Sequence, residues 1–434
     1  MSRVEYSRAL PRAGRYDVVV AGAGPAGICG AVAAAREGAR VALVERYGIL
    51  GGMLTSGHVG PILGAVGPGT MRDELTFLLG VQGNDMLGET GVAHDFEKAK
   101  GTLARFVGDA GVDVLLQTMA VDAVREGDRL TGLVIAGKEG LRVLESKVFI
   151  DCTGDGDLAA LAGAPVEKGR DDGLMQPVTL EFLIDNVDED RGIACIGDVD
   201  DVQLKGERFL DFCRRCGEEG ILPMNIVAVR LHRTVYPGQR NVNTTQANGI
   251  DATKTADLYR AERTLRAQIP LLMDFFRRYL PGYEHCRLVS TPSTLGVRES
   301  RRVMGEYVIT AEELAAGARF PDVAVHKAEF IVDIHNPTGP GQAESRIQYV
   351  KPYDLPYRCF VPLGVEGLLT AGRCISGTHR AHASYRVMSI CMAMGQAAGV
   401  AAALCAALCC DPRALDVGLL QAALTKKGID LFSP

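Results

Sequence analysis

The stretch DVVVAGAGPAGICGAVAAAREGARVALVERYGILGGM, residues 17–53, decides the fold of this chain. Its apolar run at 18–21 contains β-branched residues, which is typical of a strand covered on both faces. Residues 25–37 have the composition of a helix that ends at a glycine, and residues 41–44 repeat the pattern of a buried strand. Strand, glycine turn, helix and strand in this order predict the first unit of a doubly wound α/β sheet.

The glycines between the first strand and the helix have the spacing G-x-G-x-x-G, at Gly22, Gly24 and Gly27. The first glycine permits a sharp turn, the second lets the backbone approach a pyrophosphate, and the third lets helix and strand pack closely. Glu45 follows the second strand, about 20 residues past the glycines, where a carboxylate accepts hydrogen bonds from a ribose hydroxyl. The pattern predicts a dinucleotide at the helix N-terminus and leaves NAD and FAD open.

Three later stretches favour FAD. The pair Gly51 and Gly52 lets backbone amides approach the far side of the same pyrophosphate, and a Thr-Gly turn within 151–157 returns the chain to the first glycine turn. A predicted strand at 367–371 leads through the glycine loop 372–377 to an apolar helix, an arrangement suited to the ribityl chain and ring of a flavin. Because no second G-x-G-x-x-G unit follows, hydride supply from NAD(P)H is disfavoured.

The amino-acid composition and net charge indicate which classes of partner are disfavoured. Of the 434 residues, 47% are apolar and 23% charged, and a net charge of −6 provides no attraction for nucleic acid or an anionic membrane. The 12 cysteines show no secreted-type framework, and the N-terminus has no signal-peptide pattern. We therefore expect free thiols and a cytoplasmic location. The lone C-x-x-C at 213–216 cannot supply four metal ligands, so no metal site is expected.

The uncharged segment 387–410 is long enough to span a bilayer. A buried core helix is the alternative, and small residues such as Gly395 and Gly399 suit close packing in either setting. We favour the buried helix and predict no membrane partner.

The remaining pattern predicts a mixed α/β architecture. Strands are expected at 112–119, 130–135 and 142–150, as a β-meander added to the parallel sheet. We assign residues 15–170 and 351–434 to a discontinuous Rossmann-like FAD-binding domain, and residues 171–350 to an inserted α+β substrate domain. Further expected elements are helices at 70–79, with Thr70 as N-cap, and at 94–109; strands at 178–184 and 227–235; and a helix at 251–279 that is interrupted at Pro270.

The chain resembles the FAD-dependent oxidoreductase family of the glutathione-reductase-like flavoprotein class. The resemblance lies in residues 21–53, in IDCTGDGDLAALAGAP (150–165), in GVRESRRVMGEY (296–307) and in residues 355–399, and it is weakest over 185–285. It implies that FAD is the cofactor and that Val121 offers its backbone to the adenine. At the position where many flavoproteins have an acid, this chain has Arg373. The implied cofactor-binding residues are Gly22, Ala23, Gly24, Pro25, Ala26, Gly27, Glu45, Arg46, Gly51, Gly52, Met53, Val121, Thr153, Gly154, Gly372, Arg373, Ser376 and Gly377.

Arginine and histidine side chains near the predicted flavin are the candidates for catalysis. We expect His379 or His382 to be the base that takes a proton from a small anionic or polyhydroxylated substrate while hydride passes to flavin N5. Arginines would anchor the substrate by charge-assisted hydrogen bonds. We interpret His58 and His335 as structural. The candidate catalytic residues are Arg298, His379, Arg380, His382 and Arg386.

Other functions remain open at this stage. The reverse chemistry is a flavin-dependent reduction or desaturation at a C–C bond of a carboxylate substrate. A different class is a non-catalytic FAD-binding scaffold or an RNA-modification subunit, which the negative net charge disfavours. The electron acceptor is oxygen or another molecule that the sequence does not identify, and a homo-oligomer is left open.

Overall fold

The computed structural model describes residues 7–81, 94–195, 202–341 and 348–433. The strands are β1 (Arg12–Ala21), β2 (Val41–Val44), β3 (Asp113–Leu115), β4 (Met119–Glu126), β5 (Arg129–Gly137), β6 (Gly140–Asp151), β7 (Val166–Lys168), β8 (Phe182–Asp185), β9 (Gln203–Leu204), β10 (Glu207–Arg208), β11 (Leu231–Arg233), β12 (Arg240–Val242), β13 (Arg287–Ser290), β14 (Arg301–Val303), β15 (Val323–Ala328), β16 (Tyr353–Pro356) and β17 (Leu368–Thr370). The helices are α1 (Pro25–Arg36), α2 (Met71–Leu79), α3 (Phe96–Asp109), α4 (Asp157–Leu161), α5 (Phe209–Glu218), α6 (Thr255–Tyr279), α7 (Ala311–Ala316), α8 (His379–Tyr385), α9 (Met388–Leu408) and α10 (Val417–Lys426), with short 3₁₀ turns at Gly52–Leu54, Tyr357–Phe360 and Pro412–Ala414.

The main sheet has the order β3-β2-β1-β6-β5-β4, with β17 also beside β6. Strands β1, β2, β3, β6 and β17 pair in parallel, whereas β4, β5 and β6 form an antiparallel meander. The long strand β6 belongs to both parts: its first half pairs with β5 and its end pairs with β17. The predicted mixed α/β fold, a Rossmann-like parallel sheet with a meander, is confirmed.

The expected strand at 112–119 is wrong in one respect, because the structure divides it into two strands. β3 extends the parallel sheet beside β2, and β4 begins the meander. Between them the chain bends: Gln117 has a φ of 49° and its N–H donates to the carbonyl of Tyr47, while the N–H of Thr118 donates to the carbonyl of Glu45. These bonds carry the chain across the end of β2.

Helix α9 crosses α1 at very short range. A Cβ on Gly395 would lie 2.0 Å from the carbonyl oxygen of Ala26, and one on Gly399 would lie 2.2 Å from that of Gly30. By length and composition α9 could cross a membrane, but 89% of its apolar window is buried inside the protein. The interpretation as a core helix therefore agrees with the structure.

A second, antiparallel sheet has the order β11-β12-β8-β13 and packs with α5 and α6 around its own cluster of apolar side chains. The strands expected at 178–184 and 227–235 are shorter than predicted: β8 begins at Phe182 and β11 at Leu231. Cys213 and Cys216 are buried in this cluster as free thiols. The domain boundaries at 171 and 350 stay a prediction.

Two local expectations about helices are wrong. α6 continues through Pro270, because its buried face, including Leu265, Ile269 and Leu272, packs against the core on both sides of the proline. Thr70 occupies the N-cap position of α2 but its side chain does not cap it. Instead Gln396 of α9 accepts a hydrogen bond of 2.8 Å from the N–H of Met71.

We predict that Gly395→Ala destabilises the protein by roughly 2 kcal/mol or more, because the added methyl group meets the backbone of α1 and forces the helices apart. Urea denaturation of the FAD-free protein measures the change. Gly101→Ala in α3 is the matched control, since nothing lies within 4 Å of its added Cβ. It should raise stability by about 0.5–1 kcal/mol. Equal effects of the two substitutions would contradict the packing argument.

Candidate functional site

A cavity opens at the carboxyl ends of the parallel strands, where ligands bind in doubly wound folds. Its wall continues from these strand ends to the first turn of α9 and to residues that flank the second sheet. The residues from the main sheet and its loops are Ala21, Gly22, Gly24, Pro25, Ala26, Val44, Glu45, Arg46, Tyr47, Gly52, Met53, Thr118, Met119, Ala120, Cys152, Thr153, Gly154, Asp155, Asp157, Ala371, Gly372 and Arg373.

The three glycines of the first turn have separate tasks. Gly22 has a φ of 93°, and a Cβ there would lie 2.5 Å from the carbonyl oxygen of Cys152. A Cβ on Gly27 would lie 1.7 Å from the carbonyl oxygen of Gly22, so this glycine permits helix and turn to pack. A Cβ on Gly24 would meet nothing within 4 Å, although the residue lines the cavity. The part of the cavity beside Gly24 therefore contains no protein atoms and is open to a ligand.

Helix α1 presents its N-terminus to this part of the cavity. Gly24 is its N-cap and no side chain caps it, so the positive end of the helix is available to a phosphate. Glu45 lies at the end of β2, and its carboxylate accepts hydrogen bonds from the N–H groups of Ala23 (2.7 Å) and Tyr47 (2.9 Å). These bonds orient the carboxylate, which has further acceptor sites for a ribose hydroxyl. Phosphate and ribose positions of a dinucleotide are both provided.

Arg373 is held by a network of buried polar groups. Its guanidinium donates to Asp155 Oδ1 (2.6 Å) and to the hydroxyl of Ser300 (2.9 Å), and Ser300 donates to the same carboxylate oxygen. Arg46 lies 3.7 Å from Asp155 Oδ2. Burial disfavours ionisation of Asp155, but the two arginines outweigh it and lower the pKa of the carboxyl. Arg373, at the position where many flavoproteins have an acid, thus pairs with Asp155 from the turn after β6.

Comparison with known proteins agrees with this geometry. Residues 17–424 match the family model described as FAD dependent oxidoreductase. The chain belongs to this family. It is therefore a flavoenzyme, and FAD is its cofactor. The open room at Gly24, the uncapped end of α1 and the oriented Glu45 fit the ADP half of FAD.

Part of this oxidoreductase is similar to curated relatives. It is 28% identical over 171 residues to thiamine thiazole synthase of Methanococcus maripaludis, a match that covers 37% of this chain and 64% of the relative. The thiamine thiazole synthase of Aeropyrum pernix is 34% identical over 129 residues, or 28% of this chain and 44% of the relative. The chain thus spans less than two thirds of the length of either relative.

Solved structures resemble the oxidoreductase over most of its length at low identity. A geranylgeranyl bacteriochlorophyll reductase-like protein of Thermoplasma acidophilum has 13% identity and a TM-score of 0.48, covering 95% of this chain and 84% of that one. A flavin-dependent brominase has 14% identity and a TM-score of 0.49, covering 95% and 83%. The glutathione-reductase-like class stays a prediction.

The cofactor residues expected from sequence fall into two sets. Those that line the cavity are Gly22, Gly24, Pro25, Ala26, Glu45, Arg46, Gly52, Met53, Thr153, Gly154, Gly372 and Arg373. Those behind the wall are Ala23, Gly27, Gly51, Val121, Ser376 and Gly377.

Two residues of the second set, Val121 and Gly377, have other places in the structure. Val121 lies where the register between β4 and β5 shifts, a β-bulge, and Thr118, Met119 and Ala120 line the cavity in its place. The carbonyl of Gly377 accepts a hydrogen bond from Arg302 Nε, which anchors the loop that follows Arg373.

Beyond the dinucleotide residues, the cavity is lined by two partly buried arginines. Arg298 donates to the carbonyl of Pro177 (3.0 Å) and to Asn243 Oδ1 (3.3 Å). Arg386 donates to the carbonyl of Asp333 (2.9 Å) and to its Oδ2 (3.2 Å). Burial, and then the charge of Arg386, lower the pKa of Arg298 to about 10. Both groups are still cations at neutral pH, so this part of the cavity attracts an anion.

His335, interpreted from the sequence as a structural residue, shares this wall. Its Nε2 lies 3.3 Å from Asp333 Oδ2. Burial, followed by the charge of Arg298, lowers the pKa of His335 to about 4, so the imidazole is neutral at physiological pH. His58 lies elsewhere, stacked on Phe96 with 4.9 Å between ring centroids, and does not line the cavity.

Of the candidate catalytic residues, Arg298 and Arg386 line the cavity, whereas His379, Arg380 and His382 do not. His379 Nδ1 lies 2.8 Å from Glu299 Oε1. His382 is 1% exposed beside Tyr385, and burial together with Arg386 holds its pKa well below the ordinary value. The predicted base role of these histidines has no support from their positions.

The charged side chains at 298–302 have different positions and partners. Glu299 and Arg302 form a buried ion pair of 2.7 Å, and Arg301 donates to Asp157 at 2.8 Å. Arg298 alone in this run lines the cavity. Sequence reasoning also missed Glu181, whose signal was a single charge within the apolar run VTLEFLI at 178–184.

We predict that Gly24→Ala lowers the affinity for FAD at least about tenfold while leaving the unfolding temperature of the FAD-free protein unchanged. The φ of Gly24 is −73°, which alanine adopts, and its Cβ would enter ligand space without touching protein. Equilibrium titration of the FAD-free protein with FAD, followed by flavin fluorescence, gives the affinity. Gly22→Ala is the contrast, since it clashes with backbone and should lower stability as well. Undiminished FAD binding by Gly24→Ala would contradict the proposed phosphate position.

Proposed function

We propose that this enzyme transfers hydride between FAD and a small substrate that carries a carboxylate. The observation that carries the proposal is the pair of partly buried arginines, Arg298 and Arg386, in the wall of the cavity that also contains the dinucleotide residues. Asp333 forms an ion pair with Arg386, whereas Arg298 is held by the neutral oxygens of Pro177 and Asn243. A partly buried cation such as Arg298 is stabilised by an anionic ligand.

FAD, when bound, accepts the hydride that leaves the substrate carbon. The protein binds the carboxylate at Arg298 and Arg386 and so fixes the position of the neighbouring carbon. Apolar side chains complete the wall and exclude water from the substrate. They are Val59, Pro61, Leu63, Phe330, Val387 and Met388. The electron acceptor that returns FAD to its oxidised form is part of the proposal, with oxygen as the first candidate.

The experiment is anaerobic flavin bleaching by matched pairs of metabolites. Each pair consists of a 2-hydroxy carboxylate and the neutral diol that differs by the loss of the charge, for example lactate and propane-1,2-diol. We expect bleaching by carboxylates and none by the diols. Bleaching by the neutral diols and not by the carboxylates would overturn the proposal of an anionic substrate.

We predict that Arg298→Gln and Arg386→Gln each lower the second-order rate of bleaching by an active carboxylate by at least about 100-fold, because a charge-assisted bond to the substrate is worth about 3 kcal/mol. Stopped-flow absorbance at the flavin band measures this rate. The control is Arg319→Gln, which loses a contact with Asp354 outside the cavity and should leave the rate unchanged. Equal rates in all three variants would rule out the arginine anchor.

A further inference from the structure

Glu181 lies in the same cavity wall as the two arginines and has no task in the arguments above. It directly precedes β8 in the second sheet and is 3% exposed. Within the described part of the chain, its Oε2 has no hydrogen-bond partner. A carboxyl oxygen that is buried and unsatisfied costs free energy, so its presence in a ligand cavity calls for an explanation.

The neighbours of Glu181 come from several elements. The N–H of Gly60 and the side-chain amide of Asn241 in β12 approach its carboxyl group, and Arg298 and Arg230 supply positive charge. Asn241 is itself held in place, since its Nδ2 donates a hydrogen bond of 3.0 Å to the carbonyl of His58. The carboxyl group is thus oriented by its neighbours, while Oε2 keeps hydrogen-bonding capacity that no described residue uses.

We propose that Oε2 of Glu181 is the atom that takes the substrate proton during oxidation and returns it during reduction, a role that rests on the proposed function. In oxidation of a 2-hydroxy carboxylate, the C–H bond breaks and both its electrons leave with the hydrogen as hydride to FAD. The hydroxyl proton passes to Glu181, and the oxygen lone pair completes the carbonyl.

The electrostatic surroundings suit this exchange. Burial raises the pKa of Glu181 to about 8, and the charges of Arg298 and Arg230 limit the rise. Arg386, Asp333 and His335 are the other titratable groups near Arg298, and each of them interacts electrostatically with its guanidinium group. Both protonation states of Glu181 are therefore populated near neutral pH, the condition under which a general acid or base is most effective.

The other titratable groups of this region are less suited to the role. His335 is engaged by Asp333 and is neutral with a depressed pKa, so it is a weak base. His379 and His382 do not line the cavity. Among the described residues near Arg298, Glu181 combines a place in the wall, an available oxygen and a pKa near neutrality.

The first test is infrared difference spectroscopy of the FAD-loaded protein between about pH 7 and about pH 9.5. The wild type should lose the carbonyl band of one protonated carboxyl group on this step, and Glu181→Gln should lack that change. Asp151, with a pKa raised to about 6, titrates below this range. Glu312→Gln, which removes an exposed carboxylate on α7, is the control and should keep the band. If Glu181→Gln loses the same carbonyl band on this pH step, the proposal is overturned.

The second test is the rate of anaerobic flavin bleaching by a carboxylate that is active on the wild type. Glu181→Gln should lower it at least about 100-fold and abolish its rise with pH, whereas Glu181→Asp, shorter but ionisable, should retain the pH dependence. An unchanged rate in Glu181→Gln overturns the role of Glu181 and leaves the proposed function intact. If no carboxylate bleaches the wild type, both fail together.

Discussion

The close contact between α1 and α9 is the constraint on which the site depends. Gly395 and Gly399 let the two helices approach until glycine meets backbone. Both helices begin at the cavity, α1 at Gly24 and α9 beside Val387. The packing of the two helices fixes the positions of both N-termini, and so it fixes the distance across the cavity between them. An uncharged helix long enough to span a membrane is used here to build a cofactor site.

Charged groups removed from solvent are the second feature that organises the site, and the surroundings of Asp155 and Arg298 differ. Asp155 is kept ionised by Arg373 and Arg46, so its negative charge is compensated beside the cofactor residues. Arg298 has no such carboxylate bonded to it and makes its hydrogen bonds to neutral oxygens. Since a desolvated cation without a hydrogen-bonded anion is unfavourable, we interpret Asp155 and its partners as a structural cluster and Arg298 as the group that is proposed to bind a ligand.

The second sheet brings the substrate side of the cavity to the cofactor side. Glu181 and Asn243 flank β8 and β12, while the glycine turns belong to the main sheet. Their meeting explains why one cavity contains residues separated by more than 200 positions in the chain, such as Glu45 and Arg298. Cofactor recognition and the proposed substrate recognition therefore come from different parts of the fold.

The sequence by itself determined the nucleotide half of this protein. Turn glycines, buried strands and a strand-end acid lie within residues 17–53, and local backbone geometry suffices to interpret them. Local pattern could not reveal that Val121 is bulged, that α6 passes through Pro270, or that Thr70 is replaced by Gln396, because each outcome depends on packing between distant segments. The same holds for the substrate half. Whether Arg298 or Arg302, His335 or His382 faces the cavity depends on which groups find partners elsewhere, and only the tertiary structure decided it.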